Sequence, residues 1–177
     1  MPSPPAADGG PSGAPKRPSR GRPRPGYDYV HCAIDDHTRL AYAEIHRDEL
    51  AATCAGFVRR AAAWFAEHGI ERIERVMTDN AMSYRRSHAW RDALLDIGAS
   101  PQFTAPYRPQ TNGKAERFNR TLAEEWAYRE VFDSSAARTA ALPDFLHTYN
   151  HHRTHTALDR KTPISRLPVN NLTGHYS

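Results

Sequence analysis

The chain has 177 residues, with 24 Lys or Arg against 20 Asp or Glu, a formal charge of +4. The whole excess lies in residues 1–26, which hold five basic residues (Lys16, Arg17, Arg20, Arg22, Arg24) and one acid (Asp8), so the remaining 19 basic and 19 acidic residues balance. Net charge therefore gives no argument for nucleic-acid binding by the rest of the chain, and any such case must rest on local patterning.

Residues 1–26 also carry 8 of the 14 prolines and 5 of the 10 glycines, with no aromatic residue. Such a segment cannot bury enough apolar surface to offset its ordering entropy. It reads as a disordered basic tail or loop, followed by one domain over 27–167 and a C-terminal tail over 168–177. No apolar run approaches the ~18 residues of a membrane helix, and the N-terminus lacks the apolar stretch of a signal peptide, which predicts a soluble intracellular protein. Cys32 and Cys54 fall inside apolar patterns with no CxxC pair and read as reduced core thiols.

The run Tyr27, Tyr29, Val30, Cys32, Ala33, Ile34 predicts a strand covered on both faces. Asp-Asp-His-Thr (35–38) is turn chemistry, and Leu40 to Ile45 reads as the second strand of a hairpin. Asp48 is expected to cap a helix whose apolar residues Leu50, Cys54, Phe57, Val58, Ala61 and Phe65 recur at helical spacing and which ends near Gly69. Ile73 to Met77 is a short strand leading into Thr-Asp-Asn (78–80). Ser87 is placed to cap a helix carrying Trp90, Leu94, Leu95 and Ile97, stopped by Gly98. Phe103 to Tyr107 predicts another strand, 108–113 a loop, and Lys114 to Val131 a long helix. Ser134 or Ser135 opens a last helical region that Pro143 should bend or divide. This order indicates an α/β domain with a mixed sheet covered by helices. Trp64, Trp90 and Trp126 fall at helical core spacing and read as packing.

Two carboxylates stand out. Asp79 follows a buried strand, where side chains face the crevice in which α/β proteins bind ligands, although Thr-Asp-Asn is also an ordinary turn. Glu116 opens the long helix, where the dipole favours a carboxylate whatever its function. At ~100° per residue, Ala115, Phe118, Leu122 and Trp126 form one apolar stripe, with Glu116, Asn119 and Arg120 along its border. That set suits metal and phosphate work, while an i,i+4 Glu–Arg pair equally serves a plain surface helix. Arg108, Lys114, Arg117 and Arg120 face one acid across the loop and helix start, making this stretch locally basic and competent for phosphate.

Val-Met-Thr-Asp-Asn (76–80), then Ala-Pro-Tyr-Arg-Pro-Gln-Thr-Asn-Gly-Lys-Ala-Glu-Arg-Phe-Asn-Arg-Thr-Leu (105–122), resembles the integrase catalytic core of retroviral integrases and bacterial insertion-sequence transposases. Tyr-Asn-His-His-Arg-Thr-His-Thr-Ala-Leu (149–158) and Thr-Pro (162–163) resemble the C-terminal signature of that family. The likeness covers about 27–167.

The resemblance implies a ribonuclease H-like fold and a triad of two aspartates and a glutamate. Asp79 matches the second aspartate and Glu116 the glutamate, with residues 80 to 115 between them, one more than the usual family spacing. It further implies a two-metal Mg²⁺ (or Mn²⁺) site on Asp79 and Glu116 that promotes in-line phosphoryl transfer. Gln110, Asn112, Lys114 and Arg120 would face DNA ends, with Asn119 supporting the site. The implied partners are element ends and target DNA, with a homo-oligomer when intact, in a bacterial cytoplasm at the nucleoid.

The family's first aspartate lies in a strand upstream of the hairpin. The only carboxylate there is Asp8, in Ala-Ala-Asp-Gly-Gly, with no apolar strand around it to hold it in place. Asp35 and Asp36 end the first predicted strand and are read as turn residues, and Asp28 is a weaker candidate still. The expectation is a core truncated within the loop after its first strand, with an incomplete site and exposed strand edges. The alternative is a non-catalytic DNA-binding or assembly module that modulates an intact transposase. A related nuclease acting on RNA–DNA hybrids is disfavoured by the 105–122 block. His147, His151 and His155 recur every four residues but complete no known zinc pattern, and the 149–158 resemblance implies that His155 is a packing or hydrogen-bonding residue.

Overall fold

The structure, a computed structural model, describes residues 28–104, 113–129 and 132–167. The two tails, and the loop residues 105–112 with Gln110 and Asn112, lie outside the described residues.

The expected hairpin forms from β1 (Tyr29–Ile34) and β2 (Ala41–His46), paired antiparallel with Cys32 opposite Ala43. Its turn is built by Asp35, whose Oδ2 accepts from the Thr38 N–H at 2.7 Å, the Thr38 hydroxyl at 2.7 Å and the His37 N–H at 3.2 Å. Arg39 then takes a left-handed φ of 67° to bring the chain back. The turn role expected for Asp35 is thus observed. Asp28 is tied to the Arg138 guanidinium at 2.9 Å and to the Ser135 hydroxyl, so it anchors the start of a later helix.

Helix α1 (Ala51–Glu67) buries Cys54, Phe57, Val58, Ala61 and Phe65 of the predicted stripe, but Leu50, its expected first member, lies before the helix and is exposed. Asp48 does not cap it. Leu50 occupies the N-cap position, and Asp48 Oδ1 instead accepts from the Leu50 N–H at 3.0 Å and the Thr53 hydroxyl at 2.5 Å. Strand β3 (Arg75–Thr78) pairs in parallel with β4 (Ser100–Phe103). The second of these starts earlier than Phe103, because Gly98, at φ +68°, turns the chain straight out of the preceding helix into the ladder. Between them lie a short helix α2 (Met82–Arg85), absent from the sequence reading, and α3 (His88–Asp96), capped as expected by Ser87 accepting from the Trp90 N–H at 3.1 Å.

The predicted long helix is α4 (Gly113–Leu122), which widens into a π-helical turn at Ala123–Ala127. Helix α5 (Ser135–His147) starts with Ser134 accepting from the Ala137 N–H at 3.1 Å and runs through Pro143 without dividing. A second π-helical turn, Thr148–His152, extends it.

Alternation along the hairpin gives it two covered faces. Ala41, Ala43, Cys32 and Ile34 pack with Phe118, Leu122 and Trp126 of α4 and its extension, and with Leu142 and Tyr149. Ala33 and Tyr42 point the other way, to Phe57, Ala61, Trp64 and Phe65 of α1. A third cluster joins α1, α3 and the β3–β4 pair through Cys54, Val58, Trp90, Ala93 and Leu94. The three tryptophans therefore pack as expected. Cys54 is buried, Cys32 is partly so, and both are free thiols. Among the described residues the mixed sheet is divided into two two-stranded ladders, since β1 and β3 do not hydrogen-bond to each other.

Candidate active site

Asp79 is the first residue beyond β3, but that strand is not buried as expected: Arg75 and Met77 are exposed and Val76 and Thr78 only half-buried, because β4 is the one strand paired with it among the described residues. Its Oδ1 accepts from the Ala81 N–H at 2.9 Å, which leaves Oδ2 for another partner. The neighbouring Asn80 amide donates to the Thr104 carbonyl at 3.0 Å and lies 3.3 Å from the Thr104 hydroxyl. The Thr104 N–H in turn donates to Thr78 O at 3.0 Å. Asn80 thus ties together the carboxyl ends of β3 and β4, and it fixes the point from which the chain leaves towards 105–112. Sequence reasoning gave Asn80 no role, although an amide beside a strand-end acid was the available signal.

Glu116 lies in the first turn of α4 and is exposed, as are Lys114, Asn119 and Arg120. The face opposite is the core stripe, with Phe118, Leu122 and Trp126 all buried and Ala115 partly so. No ion pair joins Glu116 to Arg120 among the described residues.

Two contacts hold α4 on the hairpin. The Cys32 thiol on β1 donates to Asn119 Oδ1 at 2.9 Å, which ties Asn119 to the hairpin. Burial pushes the Cys32 thiol up to about 11, so it stays protonated as the donor. At the helix start, Lys114 Nζ forms an ion pair with Asp36 and donates to the Asp36 carbonyl at 3.1 Å. Lys114 is therefore engaged by the hairpin turn, which the sequence could not reveal across 78 positions.

Further out, Tyr149 is buried and packs edge-on against Phe118, with centroids 4.9 Å apart, and against His155, also at 4.9 Å. Burial raises the Tyr149 hydroxyl to about 12. His155 is thus the packing residue expected. Arg153 pairs with Glu125, closing the C-terminal segment onto the α4 extension.

Asp79 and Glu116 are exposed oxygen donors, the chemistry that Mg²⁺ takes. Among the described residues no group of three or more His, Cys, Asp or Glu side chains is arranged around a common ion position. The donor type fits the expected metal, and the number of carboxylates falls short of a two-ion site. No helix among the described residues is long and apolar enough to cross a membrane.

Two sequence profiles, both described as integrase core domain, match the chain, one over residues 18–109 and the other over 97–163. The first alone spans more than half of the chain, which belongs to the integrase core domain family. It is 27% identical over 150 residues to "Putative integrase ORF3" of Spiroplasma virus SpV1-C74, an alignment covering 78% of this chain and 41% of that protein. The chain thus spans less than half the length of this curated relative.

Among solved structures, it is similar to the simian T-cell lymphotropic virus intasome in complex with PP2A regulatory subunit B56 gamma. The TM-score is 0.62 at 19% identity, over 85% of this chain and 50% of that one. It is also similar to the catalytic core domain of BIV integrase, with a TM-score of 0.59 at 22% identity, over 78% and 84%. These likenesses establish the fold, the α/β ribonuclease H-like arrangement of integrase catalytic cores.

Proposed function

We propose that this chain is the catalytic-core portion of an insertion-sequence transposase or integrase that joins DNA ends to target DNA by phosphoryl transfer. The observation that carries the reading is the family match over 18–109 together with Asp79 at the end of β3 and Glu116 at the start of α4. Asp79 and Glu116 are the metal ligands in this reading. Mg²⁺ or Mn²⁺ held by these carboxylates would supply Lewis-acid activation of the attacking oxygen and charge stabilisation at the leaving one, with no covalent enzyme intermediate needed. Arg120, Lys114, Gln110 and Asn112 contact phosphates of the DNA ends, and Asn119 steadies the first turns of α4 through Cys32. Assembly into a homo-oligomer on DNA belongs to the same reading.

A second reading has an observation of its own. Among the described residues no group of three or more possible ligands is gathered and the two ladders are unjoined, which suits a non-catalytic DNA-binding or assembly module. Labelled element-end duplexes incubated with the protein and Mg²⁺ or Mn²⁺ separate the two. The enzyme reading expects end cleavage or strand transfer that Asp79→Asn and Glu116→Gln abolish while DNA retention is kept. DNA binding by the parent chain with no cleavage in either metal would sink the enzyme reading in favour of the module.

A further inference from the structure

Outside the candidate site, the histidines near the end of α5 converge in a way their spacing did not predict. The four-residue recurrence pointed to His147, His151 and His155, but His155 is drawn away to the Tyr149 ring. His152 takes its place, because the turn Thr148–His152 is π-helical, closed by the Arg153 N–H donating to Thr148 O at 2.9 Å. The wider turn stacks residue i+5 under residue i, and His152 Nε2 lies 3.2 Å from His147 Nε2. Isolated π turns of this kind are found frequently at functional sites.

We propose that His147 and His152 form a two-nitrogen chelate for a borderline transition-metal ion, with zinc as the reference case, the remaining coordination positions being filled by water. Two imidazole nitrogens at 2.0–2.1 Å from one tetrahedral Zn²⁺ stand roughly 3.3 Å apart, close to the observed separation. Both residues are exposed, so an ion and its waters have access. His151 is the positioning residue: its ring stacks on His147, with centroids 4.5 Å apart and planes at 22°, and fixes the orientation of that ligand. Only two ligands are claimed, consistent with the lack of a three-ligand group among the described residues. The site is separate from Asp79 and Glu116 and does not rest on the reading of those residues. Its consequence is local: an ion bridging 147 and 152 clamps the π turn that presents Tyr149 to Phe118.

A neutral imidazole donating to another at 3.2 Å would have the same geometry without a metal, and experiment separates the two. Untagged protein stripped with chelator is titrated with ZnCl₂ by calorimetry and by thermal unfolding, beside His152→Ala, His147→Gln and the double variant Asp79→Asn/Glu116→Gln. The expected result is one zinc per chain and a rise in Tm of roughly 5–10 °C at a hundredfold excess over Kd, reversed by EDTA. That rise should be lost in His152→Ala and His147→Gln and retained in Asp79→Asn/Glu116→Gln. No stoichiometric zinc, or an equal shift in His152→Ala, overturns the proposal.

Discussion

The side-chain amide of Asn150 makes both backbone hydrogen bonds of Ala41: its Oδ1 accepts from the Ala41 N–H at 2.9 Å, and its Nδ2 donates to the Ala41 carbonyl at 2.8 Å. Both groups are buried, at the residue where β2 begins. A strand edge that would otherwise need another strand or water is satisfied by one side chain, and the C-terminal segment is pinned to the hairpin on which α4 rests.

Asn150→Ala strands a buried donor and a buried acceptor. It should lower stability by about 2–4 kcal/mol in urea unfolding with little change in the m-value. Asn150→Asp keeps the acceptor for Ala41 N–H but sets a carboxylate against the Ala41 carbonyl, so it should be no milder than alanine at pH 7. A neutral effect for both would show that the pair of bonds does not hold the segment.

The Asn150 contact also marks what the sequence could and could not convey. Local chemistry was legible: Ser87 and Ser134 cap their helices, and the stripe Phe118, Leu122, Trp126 faces the core. So were Asp79 and Glu116, because a strand end and a helix start are local events. Partners far apart in sequence were not. Nothing in the chain order couples Asn119 to Cys32, Lys114 to Asp36, or Asn150 to Ala41, since each pair is decided by how the hairpin and the later helices pack. The two π turns were also invisible, because one extra residue per turn leaves a helical pattern almost unchanged over so short a span. Asp48 shows the converse failure, a cap residue by type that lies two positions before the N-cap and binds Leu50 and Thr53.

Glu44 gives the fold an acid-sensitive link. Burial works against its ionisation, but hydrogen bonds from Arg60 at 2.8 and 2.7 Å, from Tyr42 at 2.5 Å and from His46 at 2.6 Å overcome that and hold its pKa at about 2, down from 4.5. With the folded value below the unfolded one, the stabilisation is complete above about pH 4.5 and is lost as pH falls towards 2. Because Arg60 is half exposed, the contribution is discounted for solvent screening to about 2 kcal/mol. Urea midpoints at pH 7, 4 and 3 should fall faster in the parent chain than in Glu44→Gln, which starts lower and is flatter. Parallel pH profiles would remove Glu44 from the account.

In the proposed reading Lys114 meets DNA, so its pair with Asp36 would couple that contact to the hairpin turn. Asp36 is widely exposed and the pair sits at the surface, so its worth to stability is within about 1 kcal/mol. Its effect on binding is larger in kind, because the ammonium that would meet a phosphate is already facing a carboxylate. Asp36→Asn should therefore tighten DNA binding at low salt, and Lys114→Ala should weaken it and reduce the salt slope by roughly one counterion. Filter-binding isotherms between low and moderate salt measure both. If Asp36→Asn binds no tighter, Lys114 does not reach DNA.

Cys32 offers a chemical probe of the seat of α4. Burial raises its thiol from 9.0 to about 11, so its thiolate fraction at neutral pH is about 100-fold smaller than that of a free thiol. Cys54 is buried and also raised, first by burial. Cys32 should react with a disulfide reagent about 100-fold more slowly than a free thiol at neutral pH, Cys54 should also be slow, and both should become fast together on unfolding. Asn119→Ala removes the acceptor that the Cys32 thiol uses and loosens the first turns of α4 over β1. It should accelerate labelling at Cys32 while leaving Cys54 slow, as read by mass spectrometry of the modified peptides. Equal acceleration at both sites would report general unfolding, and no acceleration at Cys32 would mean that Asn119 does not secure the helix carrying Glu116.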